Sequence, residues 1–180
     1  GCVMRIIGGR WAGRELVSPG ARVRPTAEPV RGRWIALLAA ELPGARVLEL
    51  YAGTGAVGLE ALSRGARRVD FVENGAAAIH ALKANVAALR ATRSTRIFDR
   101  DALRFIERLD PDAYEIALAD PPYGSKQTER LVERWLDAPF SRVLAVEHAA
   151  GQRLPGRARR HAMAGAAELS IFRTRSPHAP

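Results

Sequence analysis

Along most of the chain, short apolar runs alternate with longer segments in which apolar residues recur every three or four positions. The short runs predict buried β-strands, and the periodic segments predict helices. The predicted strands read ARVLELY, RRVDFVE, STRIFDR, YEIALAD and SRVLAVEH, and the helices between them read GLEALSRG, AAAIHALKANVAAL, ALRFIERL and TERLVERWL. The tail segments RARRHAMAG and AELSIFRTR add a final strand pair. This alternation predicts an α/β fold with a mostly parallel, seven-stranded sheet and helices on both of its faces.

The first 43 residues follow a different pattern, which predicts a small N-terminal extension. The segment MRIIGGRWAGREL predicts a β-hairpin, and Arg24 is expected to be extended because a proline follows it. Thr26 can cap a helix over residues 27–41. The apolar side chains of that helix share one face and are Val30, Trp34, Leu37, Leu38 and Leu42. We therefore divide the chain into an extension, residues 1–43, and a main domain, residues 44–180.

The composition is that of a globular protein with a strong excess of arginine. Of the 180 residues 47% are hydrophobic, the net charge is +9, and only two of the 28 basic residues are lysines. Guanidinium groups match phosphates and stack on bases, so the charge favours a nucleic-acid partner, although solvated basic faces explain it equally well. The single cysteine, Cys2, excludes an internal disulfide framework, and no apolar run is long enough to cross a membrane. We expect a monomer in the cytoplasm.

The carboxyl ends of the predicted strands carry residues suited to a ligand, and ligands of such sheets bind there. Gly53, Thr54 and Gly55 follow the first strand and, with Gly58, give a G-x-G-x-x-G spacing that lets a ligand approach the backbone. Glu73 ends the second strand, 20 residues after Gly53, where a carboxylate can accept from both hydroxyls of a ribose. The alternative needs no ligand, because glycines are common in strand-to-helix turns and a polar residue such as Glu73 can simply end a strand.

Two classes of protein share these features, the NAD-binding dehydrogenases and the methyltransferases that use S-adenosylmethionine (SAM). Asp101 follows the third strand, where it can accept from an adenine amino group, although it can equally cap the next helix. Glu49 precedes the glycine turn, where the ammonium group of a methionine moiety would lie. Tyr51, between Glu49 and the turn, belongs to the same predicted cofactor site.

The fourth strand ends in the motif Asp120-Pro121-Pro122-Tyr123, which suits methylation of a planar exocyclic amine. The lone pair of such a nitrogen is delocalised, and two acceptors placed against its N–H groups localise it. The Asp120 carboxylate and the Pro121 carbonyl can be these acceptors, while Tyr123 stacks on the base and positions it. We expect Asp120 to contact the cofactor as well. The alternative is that the two prolines only terminate a strand.

In order along the chain, these segments resemble the bacterial 16S ribosomal RNA guanine-N2 methyltransferases of the RsmD type. The matching segments are MRIIGGRWAGREL, RPT, AEPVRGRW, LELYAGTGAVGLEALSRGA, VDFVE, DAL, LADPPY and VEH, which run from Met4 to about Thr174. The resemblance implies a Rossmann-like methyltransferase fold, SAM as the cofactor, and the roles given above to Glu73 and Asp120. It also implies methyl transfer to the N2 atom of a guanine in 16S rRNA or in the assembling small ribosomal subunit.

Basic and aromatic residues of the extension are the candidates for holding the RNA backbone. They are Arg5, Arg10, Trp11, Arg14, Arg24 and Arg31. A hairpin that only covers a sheet edge is the alternative. No metal site is expected, because the histidines are scattered and there is one cysteine. Three other functions stay open: adenine-N6 methylation of DNA or RNA, NAD-dependent oxidoreduction, and RNA binding without catalysis.

Overall fold

The computed structural model describes residues 4–18 and 27–175 of the chain. Its strands are β1 (Met4–Arg5), β2 (Glu15–Leu16), β3 (Arg46–Leu50), β4 (Arg68–Glu73), β5 (Thr95–Asp99), β6 (Tyr114–Ala119), β7 (Ser141–Ala149), β8 (Arg159–Ala162) and β9 (Ala167–Arg173). Its helices are α1 (Glu28–Leu37), α2 (Ala56–Ser63), α3 (Ala76–Ala88), α4 (Ala102–Ile106) and α5 (Gln127–Asp137). Within these residues, no helix is long and apolar enough to cross a membrane.

Seven strands form one sheet in the order β5-β4-β3-β6-β7-β9-β8. The first five of these in spatial order are parallel, and β9 and β8 add antiparallel pairs at one edge. The predicted fold class, a mostly parallel α/β sheet preceded by a small hairpin, is therefore confirmed. The chain moves outward from β3 to β5 and then returns to β6 on the other side of β3. This reversal opens a crevice beyond the carboxyl ends of β3 and β6.

The sheet is covered on both faces, which explains why its strands read as nearly continuous apolar runs. Val47 and Ile116 belong to a core cluster with α1, α2 and α3. Leu48 and Ala117, the next residues along the same strands, belong to a second cluster with α4 and α5. Because side chains alternate between the faces of a strand, each residue near the crevice can be assigned to one face or the other.

Helix α1 is shorter than predicted, since it ends at Leu37 and not at residue 41. Beyond Leu37 the backbone changes to three-residue turns, with the N–H of Glu41 donating to the carbonyl of Leu38. Trp34 and Leu38 are buried on the predicted apolar face. Pro29 lies in the first turn, where its missing N–H would have had no helical partner. The predicted cap Thr26, the extended Arg24 and Cys2 lie outside the described residues.

The N-terminal hairpin is fastened to the main domain by hydrogen bonds from its backbone to side chains of α2 and α3. Glu60 accepts from the N–H of Ile7 at 2.7 Å, and Ser63 accepts from the N–H of Trp11 at 3.0 Å. Asn85 of α3 accepts in the same way from the chain that follows β2. The apolar residues of the hairpin that join the main core are Met4, Ile6 and Leu16. The hairpin therefore shares the core of the larger unit.

The prediction that Arg31 is available to solvent or RNA is wrong. Its side chain is fully buried, with its guanidinium Nε 3.8 Å from the carboxylate of Glu60 and a nitrogen donating to the carbonyl of Arg5. Glu60 is also fully buried, so the two charges offset each other where neither can reach water. Arg31 acts as a link between the hairpin, α1 and α2.

Replacing Gly9 by alanine should destabilise the protein much more than the same change at Gly13. Both glycines have a left-handed backbone, with φ of 79° and 81°, so the conformational strain of alanine is matched. A Cβ at Gly9 would clash with the backbone carbonyl of Ser63, whereas a Cβ at Gly13 would meet nothing within 4 Å. Thermal unfolding should give a melting temperature several degrees lower for Gly9→Ala than for Gly13→Ala. Equal melting temperatures would mean that the hairpin does not dock on α2 in this way.

Candidate active site

The crevice at the strand reversal has two parts that meet at Tyr51. We call the first part the inner pocket; its lining includes Trp34, Glu49, Tyr51, Gly53, Thr54 and Asp120. We call the second the outer pocket; its lining includes Tyr51, Glu73, Asn74, Asp101, Pro122 and Gln127. Residues predicted from the ends of four different strands therefore meet in one crevice. The two pockets are lined by the predicted cofactor residues other than Gly55, and by Asp120 and Pro122 of the Asp-Pro-Pro-Tyr motif.

The glycine turn is held by Glu73. One carboxylate oxygen of Glu73 accepts from the N–H of Gly53 at 2.9 Å, and the other accepts from the N–H groups of Asn74 and Gly75 at 2.9 and 2.8 Å. Gly58 is needed for close packing, because a Cβ there would lie 2.6 Å from the ring of Phe71. Glu73 therefore both organises the turn and presents negative charge to the outer pocket.

Glu49 is a buried carboxylate at the base of the inner pocket. Its two oxygens accept from the N–H of Gly58 at 3.2 and 3.3 Å. Burial raises the pKa of Glu49 to about 8. The hydrogen bond from Gly58 lowers this pKa, whereas the charges of Asp120 and Glu73 raise it. An isolated carboxylate is costly in such a site. A cationic ligand group would favour its ionised form.

We expect the ligand-free protein to become more stable as the pH falls from about 8 toward about 4.5. The first value is the pKa of Glu49 in the folded protein, and the second is its ordinary pKa. Between these values the folded state binds the proton more tightly than the unfolded chain does. Protonation of Glu49 therefore contributes its full stabilisation of the folded state below the ordinary pKa. This contribution is lost as the pH rises through the folded-state pKa. Glu49→Gln cannot ionise and should raise the melting temperature at pH 8 by several degrees.

Thermal unfolding between pH 5 and pH 8 provides the measurement, with Glu133→Gln on the exposed face of α5 as the control. The Glu49→Gln change should flatten the pH dependence but not abolish it, because burial also raises the pKa of Glu147. Parallel curves for wild type and Glu49→Gln across this range would contradict the prediction.

Tyr51 and Asp101 border the outer pocket. Tyr51 has a left-handed backbone, with φ of 56°, and its hydroxyl donates to Gln127 of α5 at 2.8 Å. Burial, followed by the charge of Asp101, raises the pKa of Tyr51 to about 12. Asp101 lies two residues beyond β5 and caps α4 by accepting from the N–H of Arg104 at 3.1 Å. The cap uses one carboxylate oxygen, so the other remains available to a ligand.

The Asp-Pro-Pro-Tyr turn follows β6 directly, and its residues Asp120 and Pro122 line the inner and the outer pocket respectively. Pro121 is buried, whereas the ring of Tyr123 is 56% exposed. The hydroxyl of Ser125 donates to the carbonyl of Pro122 at 2.7 Å and closes the turn. Asp120 is open to solvent, yet the protein around it raises the pKa of its carboxyl, a shift that water at the mouth screens. The turn thus presents an acceptor and an exposed aromatic face side by side.

Three residues near the site were given no role from the sequence. Trp34 of α1 lines the inner pocket, and Asn85 of α3 donates to the carbonyl of Thr54 in the glycine turn at 3.0 Å. Glu147 lies in β7 and is 8% exposed, close enough to Asp120 for the charge of Asp120 to raise its pKa. The sequence could have indicated Glu147, because it is a carboxylate near the carboxyl end of another predicted parallel strand. No local pattern indicated the other two.

The predicted RNA-binding residues of the hairpin are mostly exposed, and they line neither pocket of the crevice. Arg5, Arg10 and Arg14 are exposed, and the guanidinium of Arg10 lies 4.2 Å from the ring centre of the half-buried Trp11. Arg14 donates to the carbonyl of Ala88 at the end of α3. Of the two remaining members of the predicted set, Arg24 lies outside the described residues and Arg31 is buried as described above.

Comparisons with known proteins identify the family of this chain. The family model described as conserved hypothetical protein 95 matches residues 4–163. Ribosomal RNA small subunit methyltransferase D of Escherichia coli (strain K12) is 37% identical over 121 residues, which cover 67% of this chain and 60% of that protein. YlbH of Bacillus subtilis (strain 168) is 32% identical over 132 residues, 72% of each chain. The solved structure of Escherichia coli yhhF has a TM-score of 0.82 at 30% identity and covers 96% of this chain and 98% of that chain. The chain therefore belongs to this family, the RsmD-type SAM-dependent methyltransferases.

Proposed function

We propose that this protein transfers the methyl group of SAM to the exocyclic N2 atom of a guanine in 16S ribosomal RNA. The observation that carries the proposal is the turn from Asp120 to Tyr123, in which a carboxylate lines the inner pocket and an exposed aromatic ring follows three residues later. The relative named ribosomal RNA small subunit methyltransferase D supports ribosomal RNA as the substrate. The choice of the guanine N2 atom rests on the sequence resemblance and on the amine chemistry of this turn.

The acidic lining of the crevice fits SAM, which carries an ammonium group, a sulfonium centre and a ribose. Glu49 would hold the ammonium group, since it is a buried carboxylate with only the N–H of Gly58 donating to it within the described residues. Glu73 would accept from the ribose hydroxyls, and the free oxygen of Asp101 would accept from the adenine amino group. When bound, SAM supplies an electrophilic methyl group.

Asp120 and Pro121 would act on the target amine. The carboxylate of Asp120 and the carbonyl of Pro121 can each accept one N–H of the amine, which localises its lone pair and orients it. The negative charge of Asp120 also stabilises positive charge that develops on nitrogen, and its carboxylate can take the proton that the nitrogen loses after the methyl group has left the sulfonium. Tyr123 would stack on the base after the nucleotide has left its helix or loop, at a cost of a few kcal/mol. Pro122 keeps the turn rigid.

We also propose that residues 1–43 form an RNA-contacting extension of the main domain, residues 44–180. Support comes from three exposed arginines and the Arg10–Trp11 stack on the hairpin. The chain would act as a monomer, because the described residues of one copy line the whole crevice. A ribosomal RNA substrate would make the cytoplasm its site of action.

Arg10→Ala should weaken RNA binding without changing SAM binding. A lost phosphate contact should flatten the slope of log affinity against log salt by about 0.7 to 0.9. Filter binding of 16S rRNA at several salt concentrations measures this slope, and Arg108→Ala, at an exposed position just beyond α4, serves as a control. If both variants bind with the wild-type slope, the hairpin is only structural cover.

The function itself is tested by incubating the protein and labelled SAM with naked 16S rRNA, isolated small subunits or duplex DNA. Products are then digested to nucleosides. We expect label in N2-methylguanosine from one of the two ribosomal substrates. Label in N6-methyladenosine would overturn the guanine assignment, and no label in any substrate would overturn the proposed activity. Tight NAD binding without SAM binding would support an oxidoreductase instead.

A further inference from the structure

Three carboxylates lie at the carboxyl ends of three neighbouring strands: Glu49 in β3, Glu147 in β7, and Asp120 directly after β6. In the sheet Leu50 of β3 is opposite Ala119 of β6, and Ala119 is opposite Val146 of β7. Asp120 and Glu147 are the next residues after Ala119 and Val146, so they are adjacent and on the same face. Glu49 precedes Leu50 and points to that face as well. The proposed function uses Glu49 and Asp120 and leaves Glu147 without a role.

Glu147 is almost fully buried, with 8% of its surface exposed. The indole N–H of Trp34 lies beside its carboxylate and favours the charged form, but it does not reach full hydrogen-bond geometry. A charged group that is buried without full hydrogen bonding is costly. Such a position is stabilised when a ligand brings a donor to it.

The order of strands separates Glu147 from the cofactor side of the crevice. Glu73 ends β4, which lies on one side of β3, whereas Glu147 lies in β7, two strands away on the other side. Asp120 follows β6, between these two sides. Burial, followed by the charge of Glu147, raises the pKa of the hydroxyl of Tyr123, the proposed stacking residue. Glu147 therefore borders the side from which a base would reach Asp120.

We propose that Glu147 accepts the N1–H of the target guanine and so selects guanine over other bases that carry an exocyclic amine. This inference rests on the proposed function. Guanine presents two adjacent donors, the N1–H and the N2 amine, whereas adenine and cytosine present an unprotonated ring nitrogen next to their amine. A carboxylate beside the amine clamp pairs with the first arrangement and is repelled by the second. Glu147 would thus be a specificity-determining residue, with Asp120 acting on the amine itself.

Modified RNA provides the test. The methylated position is first mapped with the wild-type protein, and 16S rRNA is then assembled by ligation with guanine, 2,6-diaminopurine or 2-aminopurine at that position. Both analogues keep the 2-amine but have no proton on N1, and they differ from each other at position 6. For the wild type we expect kcat/KM to be at least about 100-fold higher for guanine than for either analogue, since a site built for an N–H rejects a base without one.

In Glu147→Gln, the ratio of kcat/KM for guanine to kcat/KM for either analogue should fall to within about tenfold of one. The reason is that an amide can accept from N1–H or donate to an unprotonated N1. Glu133→Gln on the exposed face of α5 should keep the wild-type ratio. The ratio compares two substrates with one protein preparation, so a partly folded variant still reports it. A role of Glu147 in stability alone would slow both substrates equally.

The outcomes separate this inference from the function on which it rests. If the wild type transfers no methyl group to the guanine-containing RNA, both fall. If it methylates guanine N2 but accepts 2,6-diaminopurine equally well, only the role of Glu147 falls. The same holds if Glu147→Gln keeps the wild-type ratio. Should Glu147→Gln not fold at all, the wild-type ratios for the two analogues decide the question.

Discussion

Asp120→Ala should lower the turnover of RNA methylation by on the order of 100- to 1000-fold while leaving the melting temperature nearly unchanged. The variant loses one of the two acceptors on the amine and the charge that stabilises positive nitrogen, and loss of one such transition-state contact has an effect of this size. Folding should tolerate the change, because Asp120 is open to solvent at the pocket mouth. Single-turnover kinetics with saturating SAM measure the chemical step directly.

Asp120→Asn is the sharper variant. It keeps the shape and one carbonyl acceptor but loses the charge, so its loss of turnover should be smaller than that of Asp120→Ala. Asp137→Ala, at the exposed end of α5, is the control for removing a surface carboxylate. If Asp120→Ala methylates RNA at the wild-type rate, or if it unfolds, the turn is a strand terminator and the proposed mechanism is wrong.

Glu73→Ala should weaken SAM binding by on the order of 100-fold or more. Hydrogen bonds to a charged acceptor contribute roughly 1.5–3 kcal/mol each, and two ribose hydroxyls would be affected. The variant also loses the acceptor for the N–H of Gly53, so the glycine turn should loosen as well. Isothermal titration with SAM and with its demethylated product measures the affinity, and Glu133→Ala is the control.

A 2′-deoxyribose analogue of the demethylated product separates the two roles of Glu73. The wild type should bind the analogue more weakly than the parent compound, because one donor to the carboxylate is missing. Glu73→Ala should bind the two ligands equally, since the acceptor is gone. An equal loss for the analogue in both proteins would mean that Glu73 only holds the turn and does not contact the ribose.

Much of the fold could be predicted because its evidence is local. Strands buried on both faces need continuous apolar runs, and helices with one buried face need a period near 3.6, so β3 to β9 and the helices between them appeared in the pattern. Helix ends were less accurate, as α1 shows, because the last turns depend on tertiary packing more than on residue type. Sequence resemblance then indicated the family and the cofactor.

The sequence by itself determined the strand–helix order, the glycine turn and the carboxylates at the strand ends, because each depends on neighbouring residues or on fixed spacing. Only the tertiary structure decided which of these charges are buried and which meet. Arg31 and Arg10 look alike in a basic segment, but docking against Glu60 buries the first and leaves the second exposed. Glu147 acquires its position beside Asp120 from strand register across 27 residues of chain. Burial and register depend on long-range packing, which a local pattern does not contain.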